Sequence, residues 1–341
     1  MSRPKESRFK EVMDGSDRSP SAALLRAAAS CAEPAYAMIM RLRNALYDAR
    51  ILASRPLGRP TVSVGNMTTG GTGKTPVVQW LARRLATSGQ HPAILMRGYK
   101  PTSRGLSDEQ TLLGSDEIPV IADPDRRRGA AIALSRHPRT TLFILDDAMQ
   151  HRRAGRDFEL AIVNAAEPFG FGRVLPRGLL REPLGGLRRA DVVLITHSDE
   201  VDSAALASIA STIRSQNKAV SIFHCDHVIN GDFTGKKYFA FCGIGSPTSF
   251  FWRLGTLGGI SAGVRAFDDH HDYTEADVAQ INDSARSAHA ELLITTAKDW
   301  VKLERLTNKL ALPVVRAELS LRFRPGDEEL LLSAIRERLK V

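Results

Sequence analysis

Residues 61–76 read Thr-Val-Ser-Val-Gly-Asn-Met-Thr-Thr-Gly-Gly-Thr-Gly-Lys-Thr-Pro. A β-branched run at 61–64 passes into a glycine-rich turn and then into a helix-favouring segment that begins at Lys74. Glycines let backbone N–H groups curl around a phosphate without Cβ clashes, and a helix start adds its positive dipole end. Pro76 fits because the first helical turn has no internal use for its N–H. The stretch therefore predicts a phosphate-binding loop between a strand and a helix.

The nucleotide-binding residues expected in this loop are Thr68, Thr69, Gly70, Gly71, Thr72, Gly73, Lys74 and Thr75. In such loops the lysine reaches the β- and γ-phosphates, and the following hydroxyl, here Thr75, ligates Mg²⁺. Thr68 stands where the common G-x-x-x-x-G-K-[ST] pattern has its first glycine. The Gly-Gly-x-Gly-Lys-Thr form resembles the variant loop of dethiobiotin synthetases and nitrogenase-iron-protein-like ATPases.

Short apolar runs alternate with longer helix-like stretches after Pro60, which is typical of a parallel sheet flanked by helices. Candidate strands are 61–64, 93–96, 119–121, 141–145, 160–163 and 192–196, then 220–224, 238–241, 264–267, 292–295 and 314–316. Helices are expected at 76–87, 126–137, 203–216 and 327–339. We predict an α/β fold in which a P-loop, doubly wound, mostly parallel sheet is joined by a second, smaller α/β domain.

Four segments are expected along the chain. Residues 1–20 are polar and charge-dense, which predicts a disordered extension, and 21–59 predict an N-terminal amphipathic, membrane-associating helical region. Residues 60–205 predict the P-loop nucleotide-binding domain, and 206–341 the smaller α/β domain. Because no Pro/Gly/Ser-rich linker marks the boundary between the last two, its position is set only by the change in pattern.

The N-terminal region carries an apolar stripe at helical spacing, Ala35, Met38, Ile39, Leu42 and Leu46, with Arg41, Arg43 and Arg50 beside it. Two interpretations stay open. A basic amphipathic helix suits an anionic membrane surface, whereas the same stripe also suits packing against the protein's own core. Uninterrupted apolar runs of about 20 residues are absent from the sequence, so a membrane span is not expected.

The composition is that of a globular protein with a basic balance. The chain has 341 residues, with 47 Lys+Arg against 38 Asp+Glu and a formal net charge of +9. Basic charge alone suits nucleic acid, but no nucleic-acid-binding module accompanies it, so no nucleic acid is expected as a partner. We also predict no obligate protein partner. Three distant cysteines without CxxC spacing do not form a disulfide framework, which favours a reducing, cytoplasmic compartment.

A second signal of phosphate chemistry follows the apolar run 141–145, where Asp146 and Asp147 stand side by side. Acids at the carboxyl end of a strand lie beside the P-loop in a doubly wound sheet, where they hold Mg²⁺ directly or through water. The sequence therefore predicts ATP and Mg²⁺ as cofactors.

Beyond the loop, several blocks in order resemble the tetraacyldisaccharide 4′-kinase family, over about residues 35–302. The matching blocks are Gly65-Asn66-Met67-Thr68 with Gly70 to Pro76; Arg97-Gly98-Tyr99; Asp146-Asp147-Ala148-Met149-Gln150-His151-Arg152; Phe169 to Leu184, including Arg181-Glu182; Phe267-Asp268-Asp269-His270-His271-Asp272-Tyr273; and Lys298-Asp299. This resemblance implies ATP-dependent phosphorylation of the 4′-hydroxyl of a tetraacyldisaccharide 1-phosphate at the cytoplasmic face of the inner membrane. A lipid disaccharide and the membrane surface are then the expected partners.

The same resemblance implies roles for particular residues. Asp108 and His270 form the pair that accepts the proton of the attacking hydroxyl, and the sequence leaves open which of them takes it. By its charge, Arg181 suits the transferring phosphoryl group, and Glu182 suits the metal or its waters.

The expected metal set is Thr75, Asp146, Asp147 and Glu182, and the expected substrate-binding set is Gln150, His151 and Arg181. Lys74 and Asp147 join Asp108, His270 and Arg181 in the expected catalytic set.

The chain departs from the family pattern at several turns: Ala148 replaces the glycine of Asp-Asp-Gly, Gln110 a proline, Ala297 a glutamate, and Arg177 a small residue. None of these changes removes an ionisable group assigned to catalysis.

Alternatives outside the kinase class are a P-loop ATPase that switches conformation without a sugar-lipid acceptor, and an ATP-dependent carboxylation or ligation enzyme. His224 and His227 have HxxH spacing, but alternate faces of a strand do not favour a metal site. Arg126-Arg127-Arg128 suits either a solvated helix start or a phosphate contact.

Overall fold

The computed structural model describes residues 5–70, 73–98, 118–245, 247–269 and 271–341. The chain divides into two compact units. The larger unit comprises Lys10–His227 and Leu321–Val341, and the smaller comprises Val228–Ser320 with the chain up to Phe9.

The described strands, in chain order, are β1 (Thr61–Asn66), β2 (Pro92–Met96), β3 (Val120–Ala122), β4 (Leu142–Asp146), β5 (Phe158–Asn164), β6 (Val192–Thr196), β7 (Ser221–Ile229), β8 (Lys237–Cys242), β9 (Ile260–Ala266), β10 (Leu292–Thr296), β11 (Val314–Ala317) and β12 (Leu319–Phe323). They form an eight-stranded sheet in the order β12-β7-β6-β5-β1-β4-β2-β3 and a four-stranded sheet in the order β11-β10-β8-β9.

The described helices are α1 (Lys5–Asp14), α2 (Pro20–Asp48), α3 (Lys74–Thr87), α4 (Arg126–Arg136), α5 (Ser203–Gln216), α6 (Pro247–Gly255), α7 (Glu275–Ser287), α8 (Ala297–Leu303) and α9 (Asp327–Leu339). The predicted α/β fold with a mostly parallel sheet is confirmed.

β1 lies at the middle of the eight-stranded sheet, between β4 and β5, and pairs in parallel with both. All residues of β1 and β4 are buried, as expected for strands covered on both faces. The chain leaves β1 for α3 and returns as β2 on the far side of β4, so the strand order reverses beside β1. In open α/β sheets such a switch point opens a crevice at the carboxyl ends of the strands.

α3 packs one apolar face on this sheet through Val77, Val78, Leu81, Ala82 and Leu85, all buried. Their three- and four-residue spacing is that of a single helix face. The helix begins directly after Gly73, so its N-terminal N–H groups lie at the carboxyl edge of β1.

α2 presents an apolar face outward. Its N-terminus is capped by the Ser19 hydroxyl, which accepts from the Ala22 N–H, and Pro20 occupies the first helical turn. The inner face is buried at alanines, whereas Met38 is 65% exposed and Leu42 is 61% exposed. The interpretation in which this stripe packs on the protein's own core is therefore wrong for these side chains.

The first 20 residues differ from the expected disordered extension, because α1 lies within them. Val12 and Met13 are buried and cluster with Ala22 and Ala29 of α2. The Arg26 guanidinium also donates to the backbone oxygen of Val12 at 2.9 Å. Burial of two apolar side chains and a charged hydrogen bond give this segment a folded position that its polar composition did not indicate.

The four-stranded sheet is parallel throughout, with β10 between β8 and β11, and β9 at one edge. Two apolar clusters surround it, one including Tyr238 and Phe250 and the other including Phe241 and Ile281.

The division between units differs from the expected boundary at residue 205. α5 and most of β7 lie in the larger unit, and the chain returns to that unit from Leu321 onward. The physical reason is strand pairing: β7 continues the eight-stranded sheet beside β6, and β12 adds beside β7. Within the described part of the chain, no helix is long and apolar enough to cross a bilayer.

Candidate nucleotide and phosphoryl-transfer site

The glycine-rich loop, which is predicted to bind phosphate, lies directly between β1 and α3. Gly70 and Gly73 adopt left-handed conformations, with φ of 104° and 75°. A Cβ on Gly73 would lie 2.0 Å from Cε1 of His227, so the close approach of this buried imidazole also requires glycine. Gly71 and Thr72 lie outside the described residues.

A closed ring of polar side chains surrounds the start of α3. Lys74 Nζ donates to Asn66 Oδ1 at 3.1 Å and lies 3.5 Å from Asp147 Oδ1. Arg181 Nη1 donates to both oxygens of Asp147, at 2.7 and 2.9 Å, and lies 3.5 Å from Gln150 Oε1. Gln150 Nε2 closes the ring by donating to the backbone oxygen of Asn66 at 2.9 Å. Two cations and one carboxylate thus meet beside the loop, which favours an anionic ligand.

Asp147 lies at the bend after β4, with a left-handed φ of 50°. Burial alone would raise the pKa of its carboxyl, but Lys74 and Arg181 outweigh burial and hold the pKa below its ordinary value. Ala148, where the family pattern has glycine, is absent from the residues with positive φ. The left-handed position is therefore taken by the aspartate, and alanine at 148 needs no unusual backbone conformation.

The block at 174–184 reaches the site because it pairs with the phosphate loop. Thr68 and Leu180 form an antiparallel bridge, and the Thr69 N–H donates to the Leu179 oxygen at 2.8 Å. The Arg181 N–H donates to the Met67 oxygen at 2.7 Å. These backbone bonds place the Arg181 guanidinium against Asp147.

Glu182 is fully buried, with 0% exposure. Its Oε1 accepts from Gln150 Nε2 at 3.0 Å and Arg189 Nη2 at 2.8 Å, and its Oε2 accepts from Asn44 Nδ2 at 2.7 Å. A Cβ on Gly186 would lie 2.8 Å from this carboxylate, so glycine there makes room for it. We expected Glu182 at the metal, but both oxygens already accept hydrogen bonds from side chains, an arrangement that suits a positioning role.

Asp146 ends β4 and is buried. Arg126, also buried, donates to the Asp146 backbone oxygen at 3.1 Å and to the Asp123 backbone oxygen at 2.9 Å. Arg126 thus braces the loop after β4 and is not part of a solvated helix start. Thr75 lies in the first turn of α3, so a hydroxyl and the carboxylates after β4 share one sheet edge.

His151 follows Gln150 in the loop after β4 and is partly buried. Burial, together with the nearby charges of Arg126 and Arg156, lowers the pKa of His151 to about 4. The imidazole is therefore neutral at physiological pH.

Asp108 and His270 lie outside the described residues, but the residues that flank His270 are held by two lysines in the smaller unit. Lys298 Nζ lies 3.0 Å from Asp269 Oδ1, and Lys302 Nζ donates to the backbone oxygen of His271 at 3.1 Å.

Two residues that contact this site are not predicted from the sequence. Asn66 lies at the end of β1, which puts its amide beside the loop. Asn44 carried no signal, because its partner Glu182 is 138 residues away in the chain.

The HxxH pair does not form a metal centre. His227 Nδ1 and His197 Nε2 are 2.9 Å apart, and the His224 backbone N–H donates to Asp327 at 2.7 Å. Within the described ranges, no group of three or more His, Cys, Asp or Glu side chains is arranged to hold a metal ion.

A glycine-rich loop at the switch point of a mostly parallel sheet, with a lysine and paired carboxylates at the same edge, defines a P-loop nucleotide-binding protein. Comparison with known proteins narrows this class. The family profile of tetraacyldisaccharide-1-P 4′-kinase (LpxK) matches residues 25–340, and the chain belongs to this kinase family. The resemblance found in the sequence blocks is confirmed.

Relatives match over most of their length. A tetraacyldisaccharide 4′-kinase of Chlorobaculum tepidum is 38% identical over 308 residues, covering 83% of this chain and 87% of the relative. One of Syntrophus aciditrophicus is 36% identical over 361 residues, covering 94% and 95%. The crystal structure of "apo" form LpxK from Aquifex aeolicus in complex with ATP is similar with a TM-score of 0.71 at 26% identity, covering 92% of this chain and 99% of that one.

Proposed function

We propose that this protein transfers the γ-phosphate of ATP to the 4′-hydroxyl of a tetraacyldisaccharide 1-phosphate, giving the 4′-phosphorylated lipid A precursor. The observation that carries the proposal is the ring formed by Lys74, Asn66, Asp147, Arg181 and Gln150 beside a phosphate-binding loop. Family membership supplies the acceptor: the relatives are named for the 4′-kinase reaction.

Phosphoryl transfer depends on positioning and charge neutralisation more than on covalent chemistry. Lys74 exchanges its contacts with Asn66 and Asp147 for the β- and γ-phosphates when ATP binds. One nitrogen of the Arg181 guanidinium, Nη1, already donates to Asp147. Arg181 neutralises negative charge on the transferring phosphoryl group.

Mg²⁺ fits the donor set on chemical grounds, because hydroxyl and carboxylate oxygens are its preferred protein ligands. Thr75 and Asp146 would hold the ion, with Asp147 acting directly or through water. Bound there, the ion would neutralise phosphate charge. Asp147 keeps its negative charge ready for this task because Lys74 and Arg181 lower its pKa.

The acceptor hydroxyl needs a group that takes its proton. We assign this step to the pair of Asp108 and His270, the pair that the resemblance to the family implies. Gln150, His151 and Arg181 contact the substrate in this proposal. A neutral His151 offers hydrogen bonds to a sugar without adding charge.

The location is the cytoplasmic face of the inner membrane, where the acyl chains of the acceptor remain. The outer face of α2 supports this, because it exposes Leu24, Met38, Ile39 and Leu42 with Arg41 beside them. An apolar stripe with basic neighbours suits an anionic bilayer surface.

The decisive experiment follows label from [γ-³²P]ATP into tetraacyldisaccharide 1-phosphate in mixed micelles. Lys74→Ala is expected to lose about 10²–10³-fold in turnover, whereas Lys218→Ala, an exposed lysine in a turn, serves as the matched control. ATP hydrolysis without labelled lipid from the native chain would contradict the proposal and favour a switch ATPase.

The membrane proposal has its own test. Ile39→Gln with Leu42→Gln should reduce sedimentation with phosphatidylglycerol vesicles, because both side chains are about 60% exposed on the outer face of α2. Unchanged sedimentation would remove this face from membrane binding.

A further inference from the structure

The inner face of α2 contacts the phosphoryl-transfer residues at three points. Asn44 Nδ2 donates to Glu182 Oε2 at 2.7 Å, and Arg43 Nη2 donates to the backbone oxygen of Gln150 at 2.5 Å. About two helical turns earlier, the Tyr36 hydroxyl donates to the backbone oxygen of Arg181 at 2.8 Å. Their spacing of seven and eight residues places these three side chains on one helix face.

These contacts continue into the ring. Asn44 holds Glu182, and Glu182 holds Gln150, whose amide hydrogens are both used, one on Glu182 Oε1 and one on the Asn66 oxygen. This fixes which end of the Gln150 amide faces Arg181. The outer helix is thus joined to the phosphate loop by consecutive hydrogen bonds.

The Oδ1 atom of Asn44 is buried without a hydrogen-bond partner among the described residues, which lowers the stability of the fold. The amide must turn its nitrogen toward Glu182, because an ionised carboxylate only accepts. A side chain that leaves one polar atom unpaired to donate with the other points to a specific role for that donor.

Resting on the proposed function, we propose that α2 is a positioning element of the phosphoryl-transfer site, with Asn44 its principal residue, Tyr36 and Arg43 its supports, and Glu182 the group through which Asn44 acts. Glu182 then orients Gln150 and does not ligate the metal. The two faces of one helix serve two purposes: the outer face binds the lipid surface and the inner face sets catalytic geometry.

The test compares Asn44→Ala, Asn44→Asp and Ser30→Ala, the last an exposed residue of α2 that bonds only its own helix backbone. Asn44→Ala removes the donor and is expected to lower kcat about tenfold, with the Kd for ATP and vesicle sedimentation unchanged. Asn44→Asp keeps the shape but sets a second carboxylate against Glu182, so a fall of about 100-fold is expected. Tyr36→Phe, a milder change, should lower kcat about threefold.

The order of the two Asn44 variants separates this role from packing, because a packing role would make the isosteric aspartate the milder change. In a Glu182→Gln background, Asn44→Ala should lower kcat little further, because both changes break the same hydrogen-bonded connection from α2 to Gln150. Turnover within twofold of native for Asn44→Ala and Asn44→Asp, or additive losses with Glu182→Gln, would overturn this inference and leave the proposed function standing. A native chain that leaves the lipid unphosphorylated would overturn the proposed function and this inference with it.

Discussion

The mostly parallel eight-stranded sheet and the parallel four-stranded sheet both carry charged residues at the carboxyl ends of their strands, but these residues are bonded differently. At the edge of the eight-stranded sheet, Lys74 and Arg181 converge on Asp147 beside a loop of glycines. At the edge of the four-stranded sheet, Asp299 is fully buried and accepts from the Thr296 hydroxyl at 2.6 Å and the Gly243 N–H at 3.0 Å.

The difference lies in which bonds a ligand can replace. Partly exposed cations around a single carboxylate can exchange that partner for phosphate. A buried carboxylate satisfied by local donors has no such freedom, because breaking those bonds leaves polar groups unpaired. The first edge is therefore suited to binding and the second to bracing the loops that follow its strands.

The largest expected effect concerns His270, which follows β9 in the chain. His270→Ala is expected to lower turnover by about 10²–10⁴-fold, the range for loss of a general base or its partner. ATP titration should give an unchanged Kd, because the nucleotide-binding residues expected at 68–75 are left as they are. His91→Ala, at an exposed histidine, is the control. Near-normal turnover in His270→Ala would remove this residue from the mechanism.

Asp299→Ala tests the bracing edge. It leaves the Thr296 hydroxyl and the Gly243 N–H without their acceptor, at about 1–3 kcal/mol for each buried group. The urea midpoint should fall markedly when followed by tryptophan fluorescence, since Trp252 and Trp300 lie in the smaller unit. Lys74→Ala, at the binding edge, should leave that midpoint nearly unchanged. Equal losses of stability in the two variants would erase the distinction between the edges.

The pH dependence of stability offers a smaller test at the binding edge. Because the pKa of His151 in the fold, about 4, lies below the ordinary 6.5, folding opposes protonation of this imidazole. The neutral His151 imidazole makes its full contribution to the free energy of unfolding above pH 6.5, and this contribution is lost as the pH falls toward 4. His151→Gln should flatten the urea midpoint against pH within that window. A native-like slope in the variant would show that other groups set it.

The smallest effect is expected for Ala148→Gly, which restores the family residue. Since Ala148 does not occupy a left-handed conformation, glycine relieves no strain and adds freedom to the unfolded chain. Stability should fall by about 0.4–1 kcal/mol, and turnover should stay within about twofold of native. A large gain in turnover would mean that the alanine distorts the bend at Asp147.

Local sequence patterns predict the strand and loop at 61–76, and they also place Asp146 and Asp147 at the end of a strand. β12 was missed, although Leu319, Leu321 and Phe323 alternate as strand residues do, because it follows β11 after a single residue and joins the other sheet. The contacts of Glu182 and of the inner face of α2 could not be predicted for a related reason, because they join residues far apart in the chain. Arg41 and Arg43 look equivalent beside one stripe, yet Arg41 is exposed and Arg43 reaches Gln150, a contact 107 residues away in the chain.

β7 and β12 carry the chain out of the larger unit and back into it, and they are neighbours in one sheet. Residues 228–320, which form most of the smaller unit, are therefore an insertion whose two ends meet on adjacent strands, an arrangement in which domain insertion is tolerated. In the laboratory, the same topology predicts that a short linker can replace residues 228–320 in a chain that still binds nucleotide.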